Sequence, residues 1–414
     1  MNNKSSGKTP ILIVARDMYP PFRVDVTILF SKYLKKYLKI DWLMRHDASK
    51  PGTKVSDGDE TYYIIGRNGI RGKLDAVIQH LKVVYRIFRK DYAIVQCRDT
   101  FLLASLYSIA SRLSGVPFVY WMSYPMEEGY LLRAGTAFAK RRYAGALVRW
   151  IIGTVGRLSL YYIALPIAHH IFVQSDQMKN DLLAEGLRAD KITPVPMGVD
   201  TDSFSPAQCE PAADAFYAGR EAILYLGSLD LARQMNIPAA GVAKALKSRP
   251  NAIFVMIGRA SQPERDLVAE EFGDLSSRIF FLEQMPLLQA LSHVRRAGVC
   301  LAPYPASKKM LASATPTKLV EYLAMGRRVV ANRHPDQSAV IAGAGLGLLS
   351  DFTIDGFSQS ILQALDLGEP TALEMTRARE WIRENRDYFT LSEKIAPIYA
   401  KTANSNGVKK RWNN

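Results

Sequence analysis

Short apolar runs bounded by turn-forming residues recur along the chain, and helix-length amphipathic stretches fill the intervals between them. In the first half the runs fall at residues 11–14, 62–65, 93–95, 118–122 and 170–173. Continuous rather than alternating apolar character marks strands buried on both faces. Helical patterns lie at 26–37 and 74–88. This alternation predicts a parallel sheet covered by helices. The pattern then restarts, with strands predicted at 223–226, 252–257, 279–281, 299–302 and 329–331. Helices fit between them at 237–247, 264–272 and 287–296. There is no short repeat, only two α/β halves. Their boundary is expected within 198–215, a polar stretch with Asp200, Asp202, Ser203, Pro206 and Pro211. A last long helix is predicted at 373–385, then a second helical segment at 391–402 and a polar tail.

Composition fits this picture. The chain has 414 residues, 48% of them hydrophobic, enough for two cores. The three cysteines, Cys97, Cys209 and Cys300, are far apart and have neither disulfide nor metal-ligand spacing. They point to a reducing compartment, and the polar start of the chain reads as a lead-in to a first strand rather than a signal peptide. Six histidines show no ligand spacing. Net charge is +15, and it is uneven. Through Asp200 there are 29 Lys and Arg against 17 Asp and Glu, beyond it 25 against 22. The first half is therefore expected to meet something anionic. Nucleic acid is disfavoured, because no reading module or stacking platform is present.

Two features suggest a membrane as that partner. From 150 to 168 the one charged residue is Arg157, and Arg133, Lys140, Arg141, Arg142 and Arg149 precede it. Three readings stay open here: a transmembrane span, buried helices of the first domain, or an amphipathic surface resting on lipid. Lys32, Lys35, Lys36 and Lys39 have the spacing of one helix face, with Lys82, Arg86, Arg89 and Lys90 extending the theme. A basic residue near an anionic lipid surface contributes about 1 kcal/mol.

The strongest chemical signal is Thr315-Pro316-Thr317-Lys318-Leu319-Val320-Glu321-Tyr322-Leu323-Ala324-Met325-Gly326, followed by Val329-Val330-Ala331. Pro316 suits the first turn of a helix, where a missing N–H costs nothing. The helix start then offers free N–H groups and the positive end of a dipole, and Lys318 adds a point charge. Together they suit a diphosphate. Glu321, one turn further in, is placed to accept hydrogen bonds from ribose hydroxyls. Gly326 ends the helix.

This segment resembles the donor-binding helix of retaining glycosyltransferase family 4, which commonly reads P-[ST]-K-x-x-E-Y-x-A-x-G before a similar strand. The resemblance implies a GT-B fold: two Rossmann-like domains with parallel sheets facing a central cleft. Other features follow in the family's order. Ile171-Phe172-Val173-Gln174-Ser175, then Val195-Pro196-Met197-Gly198-Val199-Asp200 and Phe204, resemble the end of the first domain and the linker, with Met197 replacing the usual Asn. Tyr225-Leu226-Gly227-Ser228-Leu229 resembles the first strand and loop of the donor domain. Ser228 stands where Arg is frequent. Arg233 is carried over as a diphosphate ligand. Ile257-Gly258 fits the second glycine turn, Glu283 the loop near the base, and Ala302-Pro303-Tyr304 the strand end before the donor loop.

The resemblance implies domains at 1–200 and 217–385, a linker at 201–216, and a helix within 386–414 that packs back towards the N-terminal domain. It implies donor-binding residues Gly227, Ser228, Gly258, Glu283, Ser313, Thr315, Pro316, Leu319 and Glu321, with Arg233 and Lys318 stabilising the leaving diphosphate. Ser313 replaces a Glu that many members carry. The strand 118–122 runs into Ser123-Tyr124-Pro125-Met126-Glu127-Glu128 without the family's frequent His. No general base is therefore named; Ser123 and Glu127 are cleft candidates. On the acceptor side, Arg98 and Asp99 end a predicted strand, where open α/β sheets bind ligands, although an internal salt bridge suits these residues equally. Met18-Tyr19-Pro20-Pro21-Phe22-Arg23 replaces a Gly-rich loop, and Arg23 offers charge in its place.

Gly7-Lys8-Thr9 lacks the context of a P-loop. Asp57-Gly58-Asp59 and Asp200-Thr201-Asp202 sit in turn-like stretches, so no metal and no cofactor are assigned. The expected protein is a cytoplasmic retaining glycosyltransferase, peripheral on the cytoplasmic face of the inner membrane. It would take a nucleotide-diphosphate-sugar and a saccharide or lipid-linked acceptor. The alternative is a catalytically silent relative that binds nucleotide or a partner protein.

Overall fold

The run TPILIVARDMY forms strand β1 (Thr9–Tyr19), whose residues from Ile11 to Ala15 are buried. The structure, a computed structural model, describes residues 7–46, 54–65, 69–229, 234–305 and 309–405. They divide into two units, Met1–Pro196 with Leu391–Asn414, and Met197–Thr390.

In the first unit β1 is joined by β2 (Leu38–His46), β3 (Lys54–Asp57), β4 (Glu60–Ile65), β5 (Ile94–Arg98), β6 (Phe118–Met122), β7 (His170–Val173) and β8 (Ile192–Pro194). Their order is β3-β4-β2-β1-β5-β6-β7-β8, parallel except for the β3–β4 pair. The main crossover helices are α1 (Gly69–Phe88), α2 (Ala104–Ser114), α3 (Met126–Ala139) and α4 (Tyr143–Ser159). Residues beyond Leu391 in the C-terminal helix Tyr388–Asn404 belong to this unit. There the Tyr399 hydroxyl donates to Gln96 Oε1 at 2.6 Å, inside the core.

The second unit holds a six-stranded, all-parallel sheet: β9 (Glu221–Leu226), β10 (Ala252–Ile257), β11 (Ile279–Leu282), β12 (Val299–Ala302), β13 (Val329–Asn332) and β14 (Gly347–Ser350), in the order β11-β10-β9-β12-β13-β14. Apolar clusters pack on both faces of this sheet.

Two expectations are corrected, and one of the three open readings is excluded. Residues 26–37 do not form one α-helix: Asp25–Tyr33 is a π-helix and Leu34–Lys36 a 3₁₀ turn. Buried pairs repeat every four residues, at Asp25/Val26, Leu29/Phe30 and Tyr33/Leu34. A four-residue repeat keeps these pairs on one face of a helix of either pitch, so the apolar pattern predicts a helix here without fixing its turn. The four lysines do not line one helix face, and Lys39 lies on β2. Pro316 precedes its helix instead of sitting in the first turn, with ψ of 124° turning the chain into Thr317–Ala324. Finally, residues 150–167 are part of a helix that runs from Tyr143 to Ile167. Its ends feed β6 and β7, adjacent parallel strands of one sheet, so it is the crossover of a βαβ unit and not a span.

Candidate active site

In the second unit β9 lies between β10 and β12, so the chain leaves the sheet in opposite directions from this point. Crevices at such switch points are where open α/β sheets bind ligands. The residue that follows β9 is Gly227, φ 156°, and the one that follows β10 is Gly258, φ 142°. A Cβ on Gly258 would meet the Gly227 carbonyl oxygen at 2.5 Å, and a Cβ on Gly227 would collide with Lys318 Cε. Two side-chain-free backbones therefore form a floor, and the Lys318 ammonium lies across it, 5.9 Å from the Tyr225 ring centroid. The Tyr225 hydroxyl donates to the Ser228 carbonyl at 3.1 Å, fixing the turn after Gly227.

The helix Thr317–Ala324 carries Lys318 in its first turn. Its first N–H groups have no intrahelical partner, which leaves a cationic, donor-rich end beside the glycine floor. Leu319 is fully buried in the core, so its side chain does not face a ligand. Tyr322 is also buried, and its hydroxyl accepts from the Leu226 N–H at 2.7 Å, tying helix to strand end. Glu321 is half-buried. Burial raises its carboxyl above the usual range, opposed by Lys318 and by a hydrogen bond from Thr317. Thr315 Oγ1 accepts from the Met197 N–H at 2.9 Å, and Ser313 is buried nearby in sequence. Glu283 follows β11 and is ion-paired with Arg265, whose guanidinium also lies 5.9 Å from the Phe281 ring centroid. Arg233 lies outside the described residues.

Residues not anticipated from the sequence hold the loop that follows β12. Asn332, at the end of β13, accepts from the Tyr304 N–H at 2.6 Å and donates to the Tyr304 carbonyl at 2.8 Å. Gln337 donates to the Ala302 carbonyl at 2.6 Å. His334 Nδ1 accepts from the Asp336 N–H at 3.2 Å, so Nε2 carries the proton and donates to the Leu311 carbonyl at 2.9 Å. Burial lowers the basicity of this imidazole, consistent with the neutral form. The available signal was a polar residue closing the apolar strand V-V-A-N.

The first unit gathers charge at its own switch point, beside β1 and β5. Arg98 is wholly buried and pairs with Asp17 at 3.3 Å and with Asp25. It is thus an internal salt bridge rather than a group facing a ligand. Arg23 is partly exposed and reaches Asp25 at 3.2 Å, Asp17 at 3.7 Å and Asp99 at 3.7 Å. Burial alone would raise Asp25, but Arg98 and Arg23 outweigh it and hold the carboxyl at about 2. Burial raises Asp99 despite Arg98, Arg23 and the Ser123 N–H, which donates to it at 2.7 Å. Asp99 has φ of 53°, a conformation that non-glycine residues hold only when their surroundings enforce it. Ser123 Oγ is buried without a hydrogen-bond partner. Glu127 begins α3; burial pushes its carboxyl up to about 7, and the Tyr161 hydroxyl donates to it at 3.4 Å. Among the described residues no group of three or more His, Cys, Asp or Glu side chains is placed to hold a metal ion.

Residues 220–389 match the family Glycosyl transferases group 1. Over 227 residues, 54% of the chain, the sequence is 28% identical to a phosphatidyl-myo-inositol mannosyltransferase of Mycolicibacterium smegmatis. The chain spans about half of that protein's length, 55%. Among solved structures, trehalose 6-phosphate synthase of Burkholderia multivorans aligns with a TM-score of 0.69 at 14% identity, over 99% of this chain and 100% of that one. HepE of Anabaena in complex with UDP aligns at 0.67 and 15% identity, over 95% and 100%. These likenesses establish a GT-B fold, mixed α/β with two parallel sheets.

Proposed function

We propose, from the premise that residues 220–389 are a group 1 glycosyl transferase domain, that this protein transfers a sugar from a nucleotide-diphosphate-sugar to a saccharide acceptor with retention of configuration. The observation that carries the reading is the Lys318 ammonium lying over the bare Gly227 backbone at the start of the helix Thr317–Ala324. A diphosphate laid on that floor meets a cation, free N–H groups and a helix dipole without colliding with a side chain. The anomeric C–O bond to the diphosphate breaks, and the acceptor hydroxyl oxygen bonds the anomeric carbon. The hydroxyl proton passes to the departing diphosphate. Lys318 and the helix start stabilise the charge that develops on the leaving group, an electrostatic role that is strong in a partly dehydrated site. Glu321 accepts hydrogen bonds from the ribose hydroxyls, and Arg233 adds a second cation to the diphosphate.

The relatives bear on the ligand class. One is titled a mannosyltransferase, and HepE was solved with UDP and with UDP and glucose. On the acceptor side, Arg23 and Asp99 pair beside the β1–β5 switch point, and Asp17 and Asp25, held by Arg98, also pair with Arg23. The basic excess of the first half favours a lipid-linked acceptor at the cytoplasmic face of a membrane. No metal or cofactor is invoked.

Thermal shift with UDP, GDP, ADP and their sugars tests the reading on the wild type and Glu321→Ala. A rise in melting temperature with one nucleotide family, lost in the variant, supports it and identifies the base. No shift with any nucleotide, together with no donor hydrolysis or transfer, overturns it in favour of a silent relative. Ser313 and Ser228, standing where the family often has charged residues, would then be the signature of lost activity.

A further inference from the structure

We propose that one face of the first unit, built by α1, α2 and α4, is a monotopic docking surface for an anionic lipid bilayer. Of the 30 large apolar side chains exposed among the described residues, 21 lie on α1 to α4 and the segments flanking them. The second unit exposes six. Scattered exposed apolar residues are ordinary, whereas contiguous ones mark an interaction surface.

Contiguity follows from topology. The connections β4–α1–β5, β5–α2–β6 and β6–α3–α4–β7 all step in the same direction along the sheet. Right-handed crossovers place their helices on the same face. Contacts confirm that they are neighbours: His80 Nδ1 lies 2.6 Å from the Tyr107 hydroxyl, joining α1 to α2. Ser105 Oγ lies 2.5 Å from Ser159 Oγ, joining α2 to α4.

The helix from Tyr143 to Ile167 is patterned opposite to a helix of a water-exposed surface. Its buried side carries the small residues Ala146, Gly153, Gly156 and Ala164, joined near its C-terminal end by Leu160 and Leu165. A Cβ at Gly156 would collide with the Phe101 ring, and one at Gly153 would meet Leu131 at 2.8 Å. Most of its large side chains point outward instead, with Leu147 50%, Trp150 49%, Val155 53% and Tyr162 76% exposed. On α1, Leu74, Leu81 and Tyr85 are similarly exposed, at 59%, 62% and 64%. A helix of 25 residues, roughly 37 Å long, with one apolar side against protein and the other uncovered, suits lying in the plane of an interface. Arg157, midway along, is paired with Glu185 at 2.5 Å and Glu128 at 3.7 Å on the protein side.

Charge selects the occupant. Between residues 104 and 159 there are seven basic residues against Glu127 and Glu128. Glu127 is buried, while Arg112, Arg133, Lys140, Arg141 and Arg142 are exposed. Two copies of this face brought together would confront basic rims of like charge, whereas anionic headgroups neutralise them. The inference deepens the expectation of a membrane-bound acceptor given above, but its test reads binding alone and is independent of transferase activity.

The test is flotation of the full chain with pure phosphatidylcholine vesicles and with vesicles of phosphatidylcholine and phosphatidylglycerol in equal parts. The wild type is expected to float with the anionic vesicles and to be released from them by salt. The variant Trp150→Glu with Val155→Glu should lose roughly tenfold or more of that binding. Lys140→Ser with Arg142→Ser should be released at lower salt, and Leu288→Glu, on an exposed site of the second unit, should float as the wild type does. Quenching of fluorescence by brominated phosphatidylglycerol in the wild type, lost in Trp150→Phe, reads the same contact without a charged substitution. A wild type that does not float, or a Trp150→Glu/Val155→Glu variant that floats equally well, overturns the proposal. So does light scattering that shows a dimer abolished by that double variant without vesicle binding.

Discussion

A carboxyl as deeply buried as that of Glu127 leaves a mark on stability as a function of pH. Burial raises it from 4.5 in the unfolded chain to about 7 in the folded protein. Between these values the folded state holds more protons than the unfolded state, so stability falls as pH rises through the window and levels off above it. The loss is on the order of 3 kcal/mol. Urea unfolding of the wild type at pH 5 and pH 7.5 should show this decline, and Glu127→Gln should flatten it. An unchanged slope in the variant would place the pH dependence elsewhere. At the candidate site, Lys318 and Glu321 should separate kinetically. Lys318→Ala removes charge that meets the departing diphosphate and should lower turnover by roughly a hundredfold, with a smaller effect on donor affinity. Glu321→Ala should mainly weaken donor binding. Steady-state kinetics of the two variants decides it, and identical profiles would refute the division of roles. Both residues were legible in the sequence because a helix start, a lysine and a glycine stop are local patterns. The buried pairing of Arg98 with Asp17 and Asp25 was not, because it joins residues separated by about 80 positions in sequence.

Elements carry the next layer. The reciprocal bonds between Asn332 and the Tyr304 backbone pin the loop after β12 to the end of β13. Asn332→Ala would leave a backbone N–H and a carbonyl without partners, a loss of about 1–3 kcal/mol. Asn332→Asp would keep the acceptor but turn a carboxylate oxygen towards the Tyr304 carbonyl. Both variants should melt below the wild type and raise the KM for the donor, with Asn332→Asp worse above the carboxylate pKa. Melting curves and donor titration check this; wild-type affinity in both would show that the loop does not shape the site. Most strands were readable as unbroken apolar runs, and β2 is instructive for having been missed. It reads LKIDWLMRH, and Asp41 interrupts the run. In the fold Asp41 is buried and accepts from Tyr92 at 2.8 Å and Arg86 at 3.0 Å, so the polar position is paid for by partners that a local pattern does not contain. β8 was too short to register, with three residues of which one is proline. The π-helix Asp25–Tyr33 was missed for a different reason: its buried pairs repeat every four residues, a spacing that α- and π-turns both satisfy, so the pattern shows a helix but not its pitch.

At the scale of the whole molecule, a single restart of the βα pattern was enough to predict two sheets, because each sheet is assembled from crossovers that are local in sequence. What the pattern did not give is strand order, and strand order is what puts β1 beside β5 and β9 beside β12 and so creates the two switch points. The first unit also draws on the far end of the chain: residues 391–404 complete it. Tyr399 is the anchor, fully buried against Phe172 at 5.2 Å between ring centroids and donating to Gln96, whose Nε2 has no partner of its own. Tyr399→Phe keeps the ring and removes the donor, leaving a buried amide without either bond, and should cost about 1–3 kcal/mol. That cost belongs to the first unit alone. A nucleotide that binds the second unit stabilises that unit in proportion to its occupancy. Calorimetry of the wild type and Tyr399→Phe, each with and without a bound nucleoside diphosphate, should therefore show two separable responses: the substitution lowers one transition and the nucleotide raises the other. A single transition moved by both would mean that the two units unfold as one cooperative body, and that a ligand held on the Gly227 floor is felt as far as the Gln96–Tyr399 bond.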